Sequence, residues 1–359
     1  MSALIKAESC GAEAELFSSR PMEMKTRKTS KQAPLDIIEG FYSAQIAYHL
    51  HRSGLLERLS PVRSVKALAR EFEYDETILT ALLEFLYQSS DIILRHAANR
   101  YSVRRKYRTY YFLGFQLDKF IGAYGPAALR LEELLRSPTR GRTFVDRKAQ
   151  AGAFFRIESP PNYVVEQLVR KLGIRSILDL GCGQAGLLTG LCQQDTSFRG
   201  WGIDENPTIC RLARQKVLKA GLNNRIRIVC GDAQDIGTHF DGRIRNSVEC
   251  LHSKDLLNEL FGHGDLHAVR YLKRLKRYFS GKLLFVVDYY GKLTRAPYVA
   301  RKYRHTLIHD LIQALSSQGI PPPDLKGWMR VYESAGCHLQ HAYEGDDQGI
   351  EWFVHVLRL

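Results

Sequence analysis

The chain has 359 residues, of which 45% are hydrophobic and 25% charged, a composition typical of globular proteins that excludes wholesale disorder. One hydrophobic core rarely grows past about 250–300 residues, so the length predicts two domains. No apolar run is long enough to span a bilayer, and the first residues lack the pattern of a signal peptide. The 7 cysteines form no CxxC pair, so no disulfide framework and no metal site is indicated. These features predict a reduced, cytoplasmic protein.

The net charge of +14 is unevenly distributed along the chain. Residues 95–148 carry a net charge of +9 and residues 266–305 carry +10, so the remainder sums to −5. Such a concentration of charge is compatible with nucleic acid, with an anionic small substrate, or with a solvated basic face.

The N-terminal third shows two different patterns. Residues 1–33 have no apolar periodicity and are predicted to be a disordered tail. Residues 34–108 predict three helices followed by two short strands that flank a polar turn, the order found in a winged helix: helices around 37–50, 64–72 and 75–90, strands at 91–94 and 100–103.

A winged helix can bind DNA or hold two subunits together. The third helix offers Glu76 and Glu84 and no Lys or Arg, which is unsuited to phosphates. We therefore predict a dimerisation domain at 34–108, then a helical linker at 109–150. Strand and helix patterns alternate from 151 to 359, which is typical of a parallel sheet covered on both faces.

A glycine motif follows the first strand of that region. The apolar strand 176–180 runs directly into GCGQAG at 181–186, and the next strand ends at Asp204. Glycines let the backbone turn tightly and approach a ligand at the start of a helix. The segment also matches the G-x-G-x-x-G pattern of dinucleotide sites, so a nicotinamide or flavin cofactor is an open alternative.

Acidic residues favour a different adenosine ligand. Asp179 precedes the glycines, where it would repel a pyrophosphate and attract an ammonium group. Asp232 ends the third strand and can border an adenine edge. Acids at three consecutive strands suit a cationic ligand that contains adenosine, namely S-adenosylmethionine.

The segments D-L-G-C-G-Q-A-G, G-I-D-E and G-D-A, in this order, resemble the class I S-adenosylmethionine-dependent methyltransferases. Together with the N-terminal segment, the chain from about residue 34 resembles the two-domain small-molecule O-methyltransferases. This resemblance implies a Rossmann-like α/β sheet of seven strands, its last hairpin antiparallel, preceded by an α-rich winged-helix domain. One departure is Ala185, where many members carry a third glycine.

The resemblance also implies roles for individual residues. The methionine part of the cofactor would lie against Asp179, Gly181 and Gly183. The ribose hydroxyls would bind Asp204, with Glu205 beside it. The adenine would lie against Asp232 and Ala233.

The family's general base, a histidine followed by Asp-Trp, is missing. Counting back from the helix at 269–279 places that position near Phe261, so the candidates are Glu259 and His263, with His252 earlier. Histidine titrates near neutrality and suits this work, and Glu259 would suit it if burial raised its pKa. A thioether acceptor would need no base.

Candidate acceptor residues come after the fifth strand. Tyr289 and Tyr290 are predicted to wall the acceptor pocket, and His309 lies on a helix where family members form a substrate lid. Asp288 is the sole acid in 266–305, so the cations that follow it are expected to have few partners: Lys292, Arg295, Arg301, Lys302 and Arg304. They would attract an anionic acceptor or form a solvated basic surface.

We therefore predict an S-adenosylmethionine-dependent methyltransferase of secondary metabolism that acts on a small metabolite. The basic segments leave two alternatives open, an anionic acceptor and a solvated basic surface. O-methylation is favoured, and S-, N- or C-methylation stays open. The expected partners are the acceptor and a second copy bound through the N-terminal domain, with no membrane.

Two alternatives are a nucleic-acid methyltransferase and a winged-helix regulator with a degenerate methyltransferase domain. The first is disfavoured because no Pro-Cys dipeptide occurs and no Asn/Asp-Pro-Pro-Tyr segment follows the fourth strand, which the pattern predicts at 243–251. The second is disfavoured because the acids and glycines of the motifs are intact.

Overall fold

The structure, a computed structural model, describes residues 34–108, 111–153, 160–262, 264–295, 300–347 and 349–359. The predicted tail lies outside these ranges. The described chain divides into two compact units between residues 122 and 123, within the segment 109–150 that the sequence suggests as a linker.

The first unit consists of helices and one small sheet. Its helices are α1 (Pro34–Arg52), α2 (Leu55–Arg58), α3 (Val65–Phe72), α4 (Glu76–Ser89), α5 (Arg105–Arg108) and α6 (Tyr111–Gln116), and a π-helix (Leu117–Ala123) reaches the boundary. Three antiparallel strands lie in the order β1-β3-β2: β1 (Arg63–Ser64), β2 (Ile93–His96) and β3 (Arg100–Val103).

Local capping determines where the helices of this unit begin. The Ser64 side chain accepts a hydrogen bond from the Ala67 amide, and Asp75 accepts one from the Ile78 amide at 2.8 Å. The core between α1, α3, α4 and the hairpin is formed by leucines and by Tyr101, whose hydroxyl donates to Glu84 at 2.7 Å.

The second unit contains a seven-stranded sheet. Its strands are β4 (Ser176–Leu180), β5 (Arg199–Asp204), β6 (Ile226–Cys230), β7 (Cys250–Lys254), β8 (Leu283–Tyr289), β9 (His338–Asp347) and β10 (Ile350–Arg358). They lie in the order β6-β5-β4-β7-β8-β10-β9, with the first five parallel and β10 antiparallel to both of its neighbours. The predicted Rossmann-like fold with an antiparallel last hairpin is confirmed.

Helices cover both faces of this sheet. They are α7 (Gly125–Ala128), α8 (Leu131–Arg136), α9 (Arg147–Ala153), α10 (Pro160–Lys171), α11 (Gly186–Gln194), α12 (Pro207–Lys219), α13 (Ile236–His239), α14 (Gly242–Ser247), α15 (Asp265–Tyr278), α16 (Arg304–Leu315) and α17 (Leu325–Ala335). Short 3₁₀ turns occupy Pro138–Phe144, Ala233–Asp235, Leu257–Leu260 and Arg301–Tyr303. None of the helices in the described ranges is both long and apolar enough to cross a membrane.

The alternation of side chains along β4 gives the sheet its two cores. Leu178 and Leu180 face the core that includes α15 and α17, whereas Ile177 faces the core beneath α10, α11 and α12. The strand order runs outward in opposite directions from β4 and β7, so a crevice opens at the carboxyl ends of these strands.

One predicted strand was placed too early. The sequence suggested the fourth strand of the sheet at 243–251, but residues Gly242–Ser247 form α14 and the strand begins at Cys250. Asp241 accepts a hydrogen bond from the Ile244 amide at 2.9 Å, and this N-cap stabilises a helix where the apolar pattern alone indicated a strand.

We expect Ile177→Ala to lower the free energy of unfolding by about 2–5 kcal/mol, because it leaves a cavity beside a central strand. Ile177 is fully buried, and the glycine motif begins 4 residues later. Leu218→Ala is the matched control, since Leu218 is 65% exposed on α12. Urea denaturation of both variants measures the difference; equal losses would contradict this packing.

Candidate functional site

The loop between β4 and α11 is held in a tight turn. Gly181 and Gly183 have φ values of +71° and +53°, and Ala185 has +57°. The amides of Gly181 and Cys182 both donate to the Ile203 carbonyl at 2.9 Å, so the loop is tied to the end of the neighbouring strand β5. A Cβ added to Gly183 would meet no atom within 4 Å, which leaves open space on that side.

Asp204 lies at the end of β5, directly beside this loop. One carboxylate oxygen accepts a hydrogen bond from the Gly183 amide at 3.1 Å, and the other accepts one from the Asn206 amide at 2.9 Å. Burial raises the pKa of Asp204 to about 6, despite these two donors. A carboxylate in this state is stabilised by additional hydrogen-bond donors, such as hydroxyl groups.

The other two strand-end acids are also held by hydrogen bonds. The Asp232 side chain accepts from the Gln234 amide at 2.7 Å, with buried Ala233 between them. Asp179 is buried on β4, and its carboxylate lies 2.7 Å from Nδ1 of His252 on β7. Parallel pairing places these two residues side by side, and Nε2 of His252 is buried without a hydrogen-bond partner in the described chain.

Two arginines from the segment before α10 approach acids of the site. Arg147 lies 3.5 Å from exposed Glu205, and Arg142 lies 3.7 Å from Glu259. Sequence reasoning missed both arginines, because no local pattern connects residues more than 50 positions apart.

Glu259 is the predicted base that the structure describes. Its side chain is 21% exposed, and burial raises its pKa to about 7, against the opposing effect of Arg142. His263, the other predicted base, lies outside the described residues. Phe261, at the position where the family's histidine falls, is a buried core residue packed edge-on against Trp328 at 5.2 Å.

Close backbone contacts join the chain segments around Glu259. Gly141, Gly262 and Gly319 each lie where an added Cβ would overlap a backbone carbonyl group, those of Leu315, Ser317 and Phe261 respectively. The segments that contain them therefore pack backbone against backbone.

Tyr289 and His309 form part of a second polar cluster at the end of β8. The Tyr289 hydroxyl donates to Asp310 at 2.8 Å, and the rings of Tyr289 and His309 meet edge to face at 4.6 Å. Asp310 in turn accepts from the amides of Lys292 and Leu293, while buried Asp288 accepts from those of Asn258 and Tyr289. Burial raises the pKa of both aspartates.

Tyr290 points in a different direction. Its ring packs against Phe353 at 4.9 Å, and its hydroxyl contacts Glu344 and His355. The role of Tyr290 in an acceptor pocket stays a prediction, and these contacts place its side chain in the core.

Two of the cations after β8, which were expected to have few partners, form ion pairs. Arg295 lies 3.3 Å from Asp265, and Lys292 lies 2.7 Å from Glu351. The sequence count considered acids within 266–305 alone, whereas the fold brings in acids from both sides of that range.

The comparisons with known proteins agree with this geometry. Residues 177–275 match a family model described as a methyltransferase domain, and these residues contain the glycine loop, the three strand-end acids and Glu259. Solved structures share the fold over nearly the whole chain. The mitomycin 7-O-methyltransferase MmcR has a TM-score of 0.67 at 18% identity, and the match covers 90% of this chain and 96% of that one.

The match identifies residues 177–275 as a methyltransferase domain.

Two further structures have the same fold as the methyltransferase domain and its N-terminal unit. PigF, solved with SAH, has a TM-score of 0.69 at 15% identity, and the match covers 90% of this chain and 99% of that one. An O-methyltransferase family protein from Burkholderia thailandensis has a TM-score of 0.66 at 15% identity, with 91% and 98% covered.

A curated relative matches a shorter part of the chain. The tRNA (guanine-N(7)-)-methyltransferase of Mycoplasma genitalium is 30% identical over 84 residues, which is 23% of this chain. The match spans 40% of the length of that relative.

We expect Glu259→Gln to stabilise the methyltransferase domain at pH 8 by about 1–3 kcal/mol, but not near pH 4.5. The folded-state pKa of about 7 lies above the ordinary value of 4.5, so ionisation of Glu259 opposes folding. That cost is absent below about pH 4.5 and fully present above about pH 7.

Thermal melts at the two pH values test this expectation, with Glu333→Gln at the exposed end of α17 as the control. If the difference in melting temperature between Glu259→Gln and the wild type is the same at both pH values, the environment assigned to Glu259 is wrong.

Proposed function

We propose that this chain is an S-adenosylmethionine-dependent methyltransferase that acts on a small molecule of secondary metabolism, with oxygen as the favoured acceptor atom. The observation that carries the proposal is the pairing of Asp204 with the glycine loop inside a methyltransferase domain. The full-length likeness to small-molecule O-methyltransferases supports it.

The residues at the carboxyl edge fit the cofactor. Asp204 offers a partly buried carboxylate whose pKa is raised to about 6, and hydroxyl donors from a ribose diol would stabilise its ionised form. The open side of Gly183 leaves room for the methionine part, and Asp232 with Ala233 would border the adenine. Asp179, which precedes the glycine loop and pairs with His252, would lie against the methionine part of the cofactor.

When bound, S-adenosylmethionine supplies an electrophilic methyl group. The chain's own contribution is to hold the acceptor, to exclude water and to remove a proton. Glu259, with a pKa of about 7, is matched to accept the proton that a hydroxyl acceptor loses near neutral pH. Arg142 beside it would keep this carboxylate oriented, and His263 is the alternative base.

Two properties stay predictions, the charge of the acceptor and the cellular location. An anionic acceptor stays a prediction that the ion pairs of Arg295 and Lys292 weaken. The cytoplasmic location stays a prediction from the sequence.

The test is transfer of a radiolabelled methyl group from S-adenosylmethionine to pooled hydroxylated, thiol and amine metabolites. Labelled product should appear in the small-molecule fraction with wild type and drop with Glu259→Gln if the acceptor is a hydroxyl. Label that enters only an added RNA pool would overturn the small-molecule assignment. No binding of S-adenosylhomocysteine by calorimetry would overturn the cofactor.

We expect Asp204→Ala to weaken S-adenosylhomocysteine binding by about tenfold to a hundredfold, since a hydrogen bond to a charged group contributes roughly 1.5–3 kcal/mol. For wild type, affinity should fall as pH decreases through about 6, because protonation removes the charge that the ribose hydroxyls bind.

Isothermal titration across this pH range measures both effects, with Asp195→Ala after α11 as the control. Gly183→Val should be worse than Asp204→Ala, because a branched side chain fills the open space. Unchanged affinity in both variants would show that the cofactor does not bind at this loop.

We further propose that the N-terminal unit is a winged-helix dimerisation domain. Helix α1 exposes apolar side chains along one stretch: Ile37, Ile38, Phe41 and Tyr42 are 61%, 51%, 49% and 54% exposed. Tyr42 meets Phe85 of α4 at 6.5 Å between ring centroids, so the apolar surface continues onto the neighbouring helix. A surface of this kind fits a second copy of the unit.

The double variant Ile38→Glu/Phe41→Glu should convert a dimer into a monomer at micromolar concentration, because it places charges in the apolar surface. Light scattering measures the mass, and Lys66→Glu on the exposed face of α3 is the control. A monomeric wild type would contradict the proposal.

A further inference from the structure

A basic cleft lies on the methyltransferase domain, and its lining includes none of the residues 181–186 of the glycine loop. It is formed between α15 and the turn after β6, and its volume is about 500 Å³. Four cations line it, Arg270, Lys273, Arg274 and Arg277, and the Tyr278 hydroxyl adds a further donor. The Thr238 hydroxyl also lines the cleft but donates to the Asp235 carbonyl at 2.8 Å. Volumes of this size accommodate small molecules.

The sequence of α15 places these cations in one row. Arg270, Lys273, Arg274 and Arg277 are spaced i, i+3, i+4 and i+7, which is one stripe of a helix, while Val269, Leu272 and Leu275 are buried on the opposite side. Like charges four residues apart repel each other. The favourable field at a helix C-terminus accounts for cations in the last turn, but not for Arg270 and Lys273.

Carboxylates neutralise little of this charge. Arg274 lies 3.6 Å from Asp235 and donates to the Gln234 carbonyl at 2.6 Å. No carboxylate of the described residues lies within ion-pair distance of Arg270, Lys273 or Arg277.

The far end of the cleft is also cationic. The Tyr278 ring lies under the guanidinium groups of Arg245, at 4.7 Å, and Arg277, at 5.0 Å. The Arg277 guanidinium also donates to the Tyr278 hydroxyl at 3.0 Å. These contacts hold Arg277 at the cleft in a fixed orientation.

We propose that this cleft binds the phosphate or pyrophosphate group of a small phosphorylated molecule, at a site separate from the cofactor loop. Guanidinium groups match phosphate oxygens in a bidentate fork, and hydroxyl donors complete the shell. The concave shape and the restriction of the unpaired cations to one helix stripe favour a compact ligand over a long polyanion.

The probe is inorganic pyrophosphate, titrated calorimetrically into the full chain at low ionic strength. Wild type should bind it, and Lys273→Ala/Arg277→Ala should weaken the affinity by about tenfold or more, since each change removes a charged donor. The matched control is Arg211→Ala/Lys219→Ala on exposed positions of α12, which removes the same net charge elsewhere and should bind like wild type.

Melting temperatures verify that both double variants fold. Absence of binding to wild type, or equal losses in the two double variants, would overturn the site. A fluorescent single-stranded oligonucleotide provides the second arm. The small-ligand assignment is wrong if the oligonucleotide binds the wild type, binds Lys273→Ala/Arg277→Ala more weakly and is not displaced by pyrophosphate. The cleft would then belong to a nucleic-acid surface.

Discussion

Aspartates that accept two backbone amides each hold the loops at the carboxyl edge of the sheet. Asp204 accepts from Gly183 and Asn206, and Asp288 accepts from Asn258 and Tyr289. Asp310 does the same for the amides of Lys292 and Leu293. Burial raises the pKa of all three aspartates, so the hydrogen bonds that fix the loops offset only part of the cost of a buried charge.

This arrangement connects architecture to chemistry. The strand order opens a crevice at the ends of β4 and β7, but an open crevice does not by itself define a site. The aspartates turn it into one, because each ties a loop to a neighbouring element. Asp204 ties the loop after β4 to the end of β5, Asp288 ties the turn after β7 to β8, and Asp310 ties the segment after β8 to α16. Glu259 differs from them, since an arginine side chain rather than a pair of amides faces it.

The parts that could be predicted from the sequence are those encoded locally. The glycine loop and the acids at 204 and 232 follow apolar strands directly, so their positions at strand ends could be inferred from the pattern. The antiparallel last hairpin followed from the family resemblance. The fourth strand was predicted too early in the chain, because the residues after Asp241 have the apolar spacing of a strand. The hydrogen bond that Asp241 accepts at the helix N-terminus stabilises a helix there instead.

Long-range contacts could not be inferred in this way. Neither the approach of Arg142 to Glu259 nor the pairing of Arg295 with Asp265 has any signature in spacing. The His252–Asp179 pair depends on strand register, which the sequence does not specify to the residue. Charges counted along the chain therefore gave a misleading view of which cations stay unpaired.

The backbone contacts at Gly141, Gly262 and Gly319 have a consequence for the range of acceptors. Pockets lined by long side chains can change shape by switching rotamers, and so admit molecules of different outline. A wall made of backbone has no rotamers to switch and little conformational entropy left to lose on binding. Enlarging such a wall requires the three segments to separate. The side of the crevice next to Glu259 should therefore discriminate by shape, and a broader range of acceptors would have to be accommodated elsewhere in the crevice.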